Sequence, residues 1–179
     1  MALILTEFKN SIGTLTMNDQ ARRNALSRAL TTEAVTALER FKEQGARAVI
    51  VRAPQGTKVW SAGYDITELG DVEIDALGSS DGIRALTRAV EAFPAPVIAL
   101  LEGGVFGASC ELAMVSDILI ATPDVSFAIT PAKLGLVFNV SGLIALTRRM
   151  PIGIVKEMAF SAQPVVAERA LQLGIVNHV

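Results

Sequence analysis

Residues 97–111, VIALLEGGVFGASCE, join an apolar run to a glycine-rich loop and then to a helical pattern. The same order occurs earlier in the chain, where the apolar run of residues 48–51 precedes the glycine loop SAGYDI at residues 61–66. A strand that leads through a loop into a helix, and does so twice, predicts an α/β fold. Two such loops can also direct two backbone N–H groups at one point, which is what stabilises an oxyanion or an enolate.

The composition fits one folded domain, residues 1–179, with a substantial core. Hydrophobic residues make up 51% of the chain, so we expect a deeply buried sheet and apolar surface that another segment or subunit covers. The longest apolar stretch, residues 96–115, is interrupted by Glu102 and Glu111, which argues against a membrane helix. A net charge of −2 argues against nucleic-acid binding.

Cysteine and histidine are too scarce to support several common kinds of site. Cys110 is the single cysteine in the sequence, so an intrachain disulfide is impossible and a reducing compartment fits. The apolar run near the N-terminus is too short for a signal peptide, and we expect a cytoplasmic protein. The single histidine, His178, lies at the far end of the sequence, which argues against a cysteine or serine nucleophile and against a metal site.

Hydrophobic spacing and turn residues predict the remaining elements. Residues 6–17 alternate as a hairpin, and a helix opens at residues 24–27 and ends at Gly45. Residues 70–82 are polar and glycine-rich, which predicts a mobile loop. Further helices are expected at residues 83–93, 141–150, 151–161 and 166–173. Further strands are expected at residues 46–53, 117–121, 126–129 and 175–176.

At SAGYDI (61–66) and GASCELAMVSDI (107–118) the chain resembles the crotonase superfamily, the enoyl-CoA hydratase/isomerase fold. Other matching motifs follow in the family's order at residues 24–26, 134–135, 167–170 and 174–176. The resemblance implies a spiral of ββα units, a homotrimer or dimer of trimers, and an acyl-CoA substrate with no cofactor beyond its CoA moiety. It also implies that the C-terminal helical segment of the family, which follows the last matching motif, is missing here.

The resemblance places an oxyanion hole at the backbone N–H groups of Tyr64 and Ala108, the second at the start of a helix. We expect Asp65 to brace the loop that carries Tyr64. Glu111 matches the first of two glutamates that hydratases of the family use as acid and base, whereas Ala132 occupies the position of the second. Because an alanine cannot transfer a proton, efficient hydration is not expected.

The CoA-binding residues are also implied by the resemblance. The backbone groups of Ala25, Ala62 and Tyr64 would contact the adenine and pantetheine groups. Arg22 or Arg23 would lie near the phosphates, although exposed arginines are usually only solvated.

Within the family, the chain resembles the methylmalonyl-CoA decarboxylases on the motifs at residues 52–54, 61–63, 65–66, 130–131 and 154–157. Decarboxylation of a short malonyl-type CoA needs no base, because the electrons of the broken C–C bond flow to the thioester oxygen. The resemblance places a tyrosine, whose hydroxyl orients the substrate carboxylate, at the position of Phe138. That hydroxyl is missing here, although Thr130 could supply one instead, and Phe138 could equally be a plain core residue. Ala132, Val137 and Phe138 would form an apolar wall that desolvates this carboxylate.

Two alternatives remain at this stage. The chain could be an enoyl-CoA hydratase or isomerase that works with Glu111 alone, or a non-catalytic subunit that binds CoA or forms oligomers. Glu111 itself could protonate the enolate, if burial raises its pKa, or could be a structural carboxylate.

Overall fold

The computed structural model describes residues 2–68, 81–135 and 138–179. The loop predicted to be mobile at residues 70–82 lies outside the described residues as far as residue 80, and Val137 also lies outside them. The strands are β1 (Ile4–Lys9), β2 (Ile12–Met17), β3 (Ala48–Arg52), β4 (Val59–Ser61), β5 (Val97–Leu101), β6 (Gly104–Phe106), β7 (Ile118–Ala121), β8 (Ser126–Ala128) and β9 (Val165–Val166). The helices are α1 (Arg28–Glu43), α2 (Asp81–Glu91), α3 (Ala108–Met114), α4 (Val140–Arg149), α5 (Ile152–Ser161) and α6 (Ala167–Gln172).

In the described part of the chain, the strands form two sheets. The first has the order β1-β2-β3-β5-β7, with β1 antiparallel to β2 and the later neighbours parallel. The second has the order β4-β6-β8-β9, in which β4, β6 and β8 are parallel and β9 is antiparallel to β8. The pairs β3–β4, β5–β6 and β7–β8 therefore each place one strand in each sheet, and α2, α3 and α4 follow them in turn. This repeat is the expected spiral of ββα units.

The local sequence explains the first hairpin and the first α-helix of the chain. Asn10 and Ser11 both have positive φ, at 52° and 60°, which suits the tight hairpin turn between β1 and β2. The Ser27 side chain accepts a hydrogen bond of 3.2 Å from the Leu30 N–H and so caps the N-terminus of α1. Gly45, with φ of 69°, follows the last turn of this helix. The predicted hairpin and first helix are thus confirmed.

The core lies where the first sheet meets the helices. Side chains of β2, β3, α1, α2 and α3 surround one point in it, represented by Leu15, Val51, Leu38, Leu86 and Leu112. Leu112 belongs to the same helix as Ala108 and Glu111, so burial of its side chain fixes α3 against the sheet. No helix among the described residues is both long and apolar enough to cross a membrane.

The prediction of a strand at residues 175–176 is wrong. Ile175 and Val176 are fully buried, but the Ile175 N–H donates to the Ala170 carbonyl at 2.8 Å, directly after α6, and does not join a sheet. The bridge to β7 forms two residues later, between Ile120 and His178. The short strands β4, β6 and β9 were not predicted, and β6 lies within the segment predicted as the second glycine loop. In contrast, α4, α5 and α6 lie within one residue of their predicted bounds.

Candidate active site

Three neighbouring parallel strands of the second sheet end side by side. Ser61 of β4 is in register with Val105 of β6, which is in register with Phe127 of β8. Because parallel strands have their carboxyl ends at one edge, the residues that follow them also lie at that edge. These residues include Tyr64 after β4, Ala108 after β6, and Thr130 after β8. The sheet therefore brings together three residues that are far apart in the sequence.

The two glycine loops touch each other backbone to backbone. Gly63 has φ of 86°, and a Cβ built there would lie 3.0 Å from the Ala108 nitrogen and inside contact distance of the Phe106 carbonyl oxygen. A Cβ on Gly107 would lie 3.5 Å from the Thr130 hydroxyl oxygen. The peptide that joins Gly107 to Ala108 is therefore close to two other loops. One carries Gly63 and Tyr64, and the other carries Thr130.

The Ser109 hydroxyl links the same two loops. Its oxygen accepts a hydrogen bond of 2.8 Å from the Phe106 N–H, and its proton has two acceptors within reach, the Ser61 carbonyl at 3.0 Å and the Phe106 carbonyl at 2.8 Å. Ser109 is fully buried, so losing this link would leave polar groups unsatisfied. Sequence reasoning missed this role, because a serine beside a glycine loop carries no signal of a partner on another strand.

Two N–H groups at this contact have no acceptor among the described residues, those of Tyr64 and Ala108. Their neighbours do have acceptors. The Gly63 N–H donates to Ser61 Oγ at 3.2 Å, and the Gly107 N–H donates to the Ala128 carbonyl at 2.9 Å. Two donors on touching loops are therefore available to an oxygen atom of a ligand.

Glu111 lies one turn after Ala108 in α3, with 1% of its surface exposed. Asn139 Nδ2 donates to Glu111 Oε2 at 3.1 Å, while Asn139 Oδ1 accepts from the Gly142 N–H at 2.8 Å and caps α4. Burial raises the pKa of the Glu111 carboxyl above its usual range, and hydrogen bonds to the carboxylate oppose part of this shift. Asn139 was not predicted as a site residue, although its place before α4 matches the preference of asparagine for helix N-caps.

The Glu111 side chain lines a cavity of about 170 Å³ between α2, α3 and α4. Arg84, Arg88 and Arg148 also line it, with Glu91 as the other acidic residue. Arg148 Nη1 pairs with Glu91 Oε1 at 3.1 Å. Of the described side chains that line this cavity, three are cationic and two are acidic, a balance that favours an anionic occupant.

The segment that precedes α1 runs beside the first glycine loop. The Ala62 N–H donates to the Arg23 carbonyl at 2.9 Å, and the Ala25 N–H donates to the Arg22 carbonyl at 3.1 Å. The Ala25 carbonyl accepts from the Ser27 N–H at 2.8 Å. These backbone groups therefore already have partners within the chain, and their predicted contacts with CoA stay a prediction.

Two of the three residues expected to form an apolar wall, Ala132 and Phe138, are described, and with Val137 outside the described residues the wall stays a prediction. Ala132 lies in a short 3-10 turn, Pro131–Leu134, and is exposed. Phe138 is half-buried, and its ring packs against Gly142 at the start of α4.

The thiol of Cys110 is a structural group. Cys110 is fully buried, and its Sγ donates to the Val105 carbonyl at 3.3 Å. Burial raises the pKa of this thiol to about 12, so the thiolate that a nucleophile requires does not form near neutral pH. This agrees with the expectation that Cys110 has no catalytic role.

A sequence model of the enoyl-CoA hydratase/isomerase family matches residues 7–179. The chain is 41% identical over 170 residues to methylmalonyl-CoA decarboxylase of Escherichia coli K12, which covers 95% of this chain and 65% of that protein. It is 33% identical over 162 residues to carnitinyl-CoA dehydratase of Salmonella enteritidis PT4, which covers 90% of this chain and 62% of that protein. The chain thus spans less than two thirds of the length of these relatives.

A solved structure supports the same relationship. The structure of a methylmalonyl-CoA decarboxylase in complex with 2-nitronate-propionyl-CoA superposes with a TM-score of 0.95 at 39% sequence identity. The match covers 99% of this chain and 68% of that one. The predicted crotonase fold is therefore confirmed for the part of the family that this chain spans.

The contact between the glycine loops can be tested with Gly63→Ala. A methyl group there meets backbone atoms that cannot move aside, so we expect a larger loss of unfolding free energy than from Gly56→Ala. Gly56 is the matched control, because it also has positive φ, at 76°, but open space around it, so its cost is about 1–2 kcal/mol of backbone strain. Urea unfolding measures both, and equal losses would contradict the close contact.

The burial of Glu111 predicts a pH-dependent stability difference for Glu111→Gln. Because the pKa of Glu111 is raised in the folded state, the folded chain binds more protons than the unfolded chain between the two pKa values, and its stability falls as pH rises through that window. We expect Glu111→Gln to be more stable than the parent at neutral pH, with the difference vanishing below about pH 4. Thermal unfolding across this range measures it. Glu39→Gln, an exposed site, is the control, and a difference for Glu111→Gln that grows with acidity would refute the expected sign.

Proposed function

Because this chain belongs to the enoyl-CoA hydratase/isomerase family, we propose that it binds an acyl-CoA and stabilises the thioester enolate with the N–H groups of Tyr64 and Ala108. The proposed reaction is decarboxylation of a short malonyl-type CoA, such as methylmalonyl-CoA. The observation that carries the proposal is the pair of N–H groups without acceptors on two touching loops. A transition state that gathers charge on one oxygen is the species such donors favour.

The chemistry needs little from side chains. The bond between the carboxylate carbon and the α-carbon breaks, its electron pair enters the thioester carbonyl, and CO₂ leaves. The enolate oxygen then accepts hydrogen bonds from both N–H groups. Removing one donor of this kind typically raises the barrier by about 2.7–4 kcal/mol. The α-carbon finally takes a proton from water or from an acid nearby.

Glu111 is the proposed acid. Burial raises its pKa, which favours the protonated form that can donate. Its position one turn after Ala108 in the same helix keeps the carboxyl close to the proposed oxyanion donor. The Asn139 hydrogen bond to Oε2 fixes the carboxyl in one orientation.

Several features support a substrate that carries its own carboxylate. Among the described residues that line the cavity beside Glu111, the cations Arg84, Arg88 and Arg148 outnumber the acidic side chains. The proposed role of Thr130 is to orient the substrate carboxylate, and that of Phe138 is to keep water away from it. The 41% identity to a methylmalonyl-CoA decarboxylase supports the same choice.

The remaining parts of the proposal concern the CoA moiety and assembly. Adenine and pantetheine would lie along the backbone of Ala25, Ala62 and Tyr64, with Arg23 near the phosphates and no other cofactor. A homotrimer or dimer of trimers and a cytoplasmic location complete the proposal. The high hydrophobic content supports assembly, since apolar surface needs a cover.

A second candidate is hydration or dehydration of an enoyl-CoA with Glu111 alone. The 33% identity to a carnitinyl-CoA dehydratase favours it. The exposed alanine at position 132, where the second glutamate of hydratases would stand, disfavours it, since water addition uses both an acid and a base.

The test is mass spectrometry of the protein mixed separately with methylmalonyl-CoA, ethylmalonyl-CoA and crotonyl-CoA. We expect loss of CO₂ from a malonyl-type thioester and no addition of water to crotonyl-CoA. Addition of water to crotonyl-CoA would select the second candidate. Binding of acetyl-CoA in calorimetry with no turnover of any thioester would refute both and indicate a non-catalytic CoA-binding subunit.

The oxyanion assignment is tested by Ala108→Pro. Ala108 is the first residue of α3, where the N–H has no partner within the helix, so the substitution removes the donor without breaking a hydrogen bond of α3. We expect kcat to fall by about 10²–10³-fold. Ile152→Pro, at the exposed first position of α5, is the matched control and should retain activity. Unchanged turnover in Ala108→Pro would contradict the assignment.

A further inference from the structure

We propose that Arg22 is a positioning residue, which fixes the direction of the Tyr64 N–H by joining Asp65 to Asp19. The inference rests on the proposed function, because it concerns one of the two donors in the oxyanion hole. It replaces the expectation that Arg22 lies near the phosphates of CoA with a role inside the protein.

The guanidinium of Arg22 bridges two carboxylates. Its Nε lies 2.9 Å from Asp19 Oδ2, and its Nη1 lies 2.9 Å from Asp65 Oδ2. The side chains of Asp19 and Asp65 are only 10% and 4% exposed, whereas that of Arg22 is 48% exposed. Two nearly buried carboxylates need a partner, and Arg22 supplies a charged one to both.

The second oxygen of Asp65 is also engaged. Asp65 Oδ1 accepts hydrogen bonds from the Thr67 hydroxyl at 2.7 Å and from the Thr67 N–H at 3.1 Å. These bonds, with the nearby Arg22, hold the pKa of Asp65 below its ordinary value, so the group stays ionised. The residue directly after Tyr64 is thus held through both of its carboxylate oxygens.

The backbone on the other side of Tyr64 is held by the same segment of chain. The Leu26 N–H donates to the Gly63 carbonyl at 2.7 Å. Ser61 Oγ donates to the Asn24 carbonyl at 2.7 Å, and Asn24 Nδ2 donates to the Trp60 carbonyl at 3.0 Å. Residues 22–26 therefore form a brace along residues 60–65, and the Arg22–Asp65 pair is its last link.

The brace holds an unfavourable backbone. Arg23 and Asn24 have φ of 52° and 51°, in the left-handed region. Such a conformation persists in non-glycine residues only where surrounding contacts determine it. The Asn24 Oδ1 accepts from the Asp19 N–H at 2.9 Å, so Asp19 connects to the brace through its backbone and through Arg22. Loss of Arg22 would remove the charged contact that closes this loop.

The charge around Arg22 argues against a phosphate ligand. One guanidinium faces two carboxylates, so Arg22, Asp19 and Asp65 together carry an excess of negative charge. A phosphate would compete with both carboxylates for the same N–H groups. The geometry instead favours an internal role, because a displacement of about 1 Å in a group that positions the reacting atoms can cost about 10²-fold in rate.

The kinetics of Arg22→Met with two substrates distinguish an internal positioning role of Arg22 from binding of a CoA phosphate. One substrate is the methylmalonyl thioester of CoA, and the other is the same acyl thioester of pantetheine, which carries no phosphate. We expect kcat to fall by about tenfold to a hundredfold for both substrates with little change in KM. Arg22→Lys should recover part of the loss, and the exposed Arg47→Met should behave as the parent. A higher KM confined to the CoA thioester would overturn the inference and assign Arg22 to a phosphate.

A second measurement is independent of turnover. The sequence contains a single tyrosine, so protein labelled with ¹⁵N-tyrosine gives one backbone amide signal, that of Tyr64. We expect this signal to move, and its exchange with solvent to accelerate, in Arg22→Met and in Asp65→Asn. If the parent chain turns over no thioester, the proposed function fails while this result still stands. An amide signal unchanged in both variants would overturn the positioning role.

Discussion

The contact between Gly63 and the peptide of Ala108 is the constraint on which the rest of the site depends. It requires β4 and β6 to be parallel neighbours in register, and it requires a residue without a side chain at position 63. The buried Ser109 hydroxyl then links the two loops through Ser61 and Phe106. Since the donors are main-chain groups, the path of the backbone matters more than the side chain at position 64.

Each ββα unit contributes one part of this arrangement. The unit of β3 and β4 supplies Tyr64, that of β5 and β6 supplies Ala108 and Glu111, and that of β7 and β8 supplies Thr130. Asn139 connects the last unit to the second, because one side chain both caps α4 and binds Glu111. The second sheet is therefore more than a packing layer, since the ends of its strands assemble the candidate site.

Much of this could be predicted from sequence, and the failures have physical causes. The α1 helix and the first-sheet strands have clear hydrophobic spacing, and the glycine loops have a specific motif order. In contrast, β4, β6 and β9 span three, three and two residues, too few to show a period. Ile175 and Val176 were predicted as a strand because they are apolar, but a hydrogen bond to Ala170 holds the first of them beside α6. The bonds of Ser109, Asn139 and Arg22 join distant residues, and no local pattern records such pairs.

The central claim is that the Tyr64 N–H binds the oxygen of an acyl-CoA thioester. It is tested most directly by following the single ¹⁵N-tyrosine amide signal while propionyl-CoA, which has no carboxylate to lose, is added to saturation. The account predicts that the Tyr64 amide proton moves downfield as the thioester oxygen becomes its acceptor. An amide signal that stays in place while calorimetry shows propionyl-CoA bound would contradict the account.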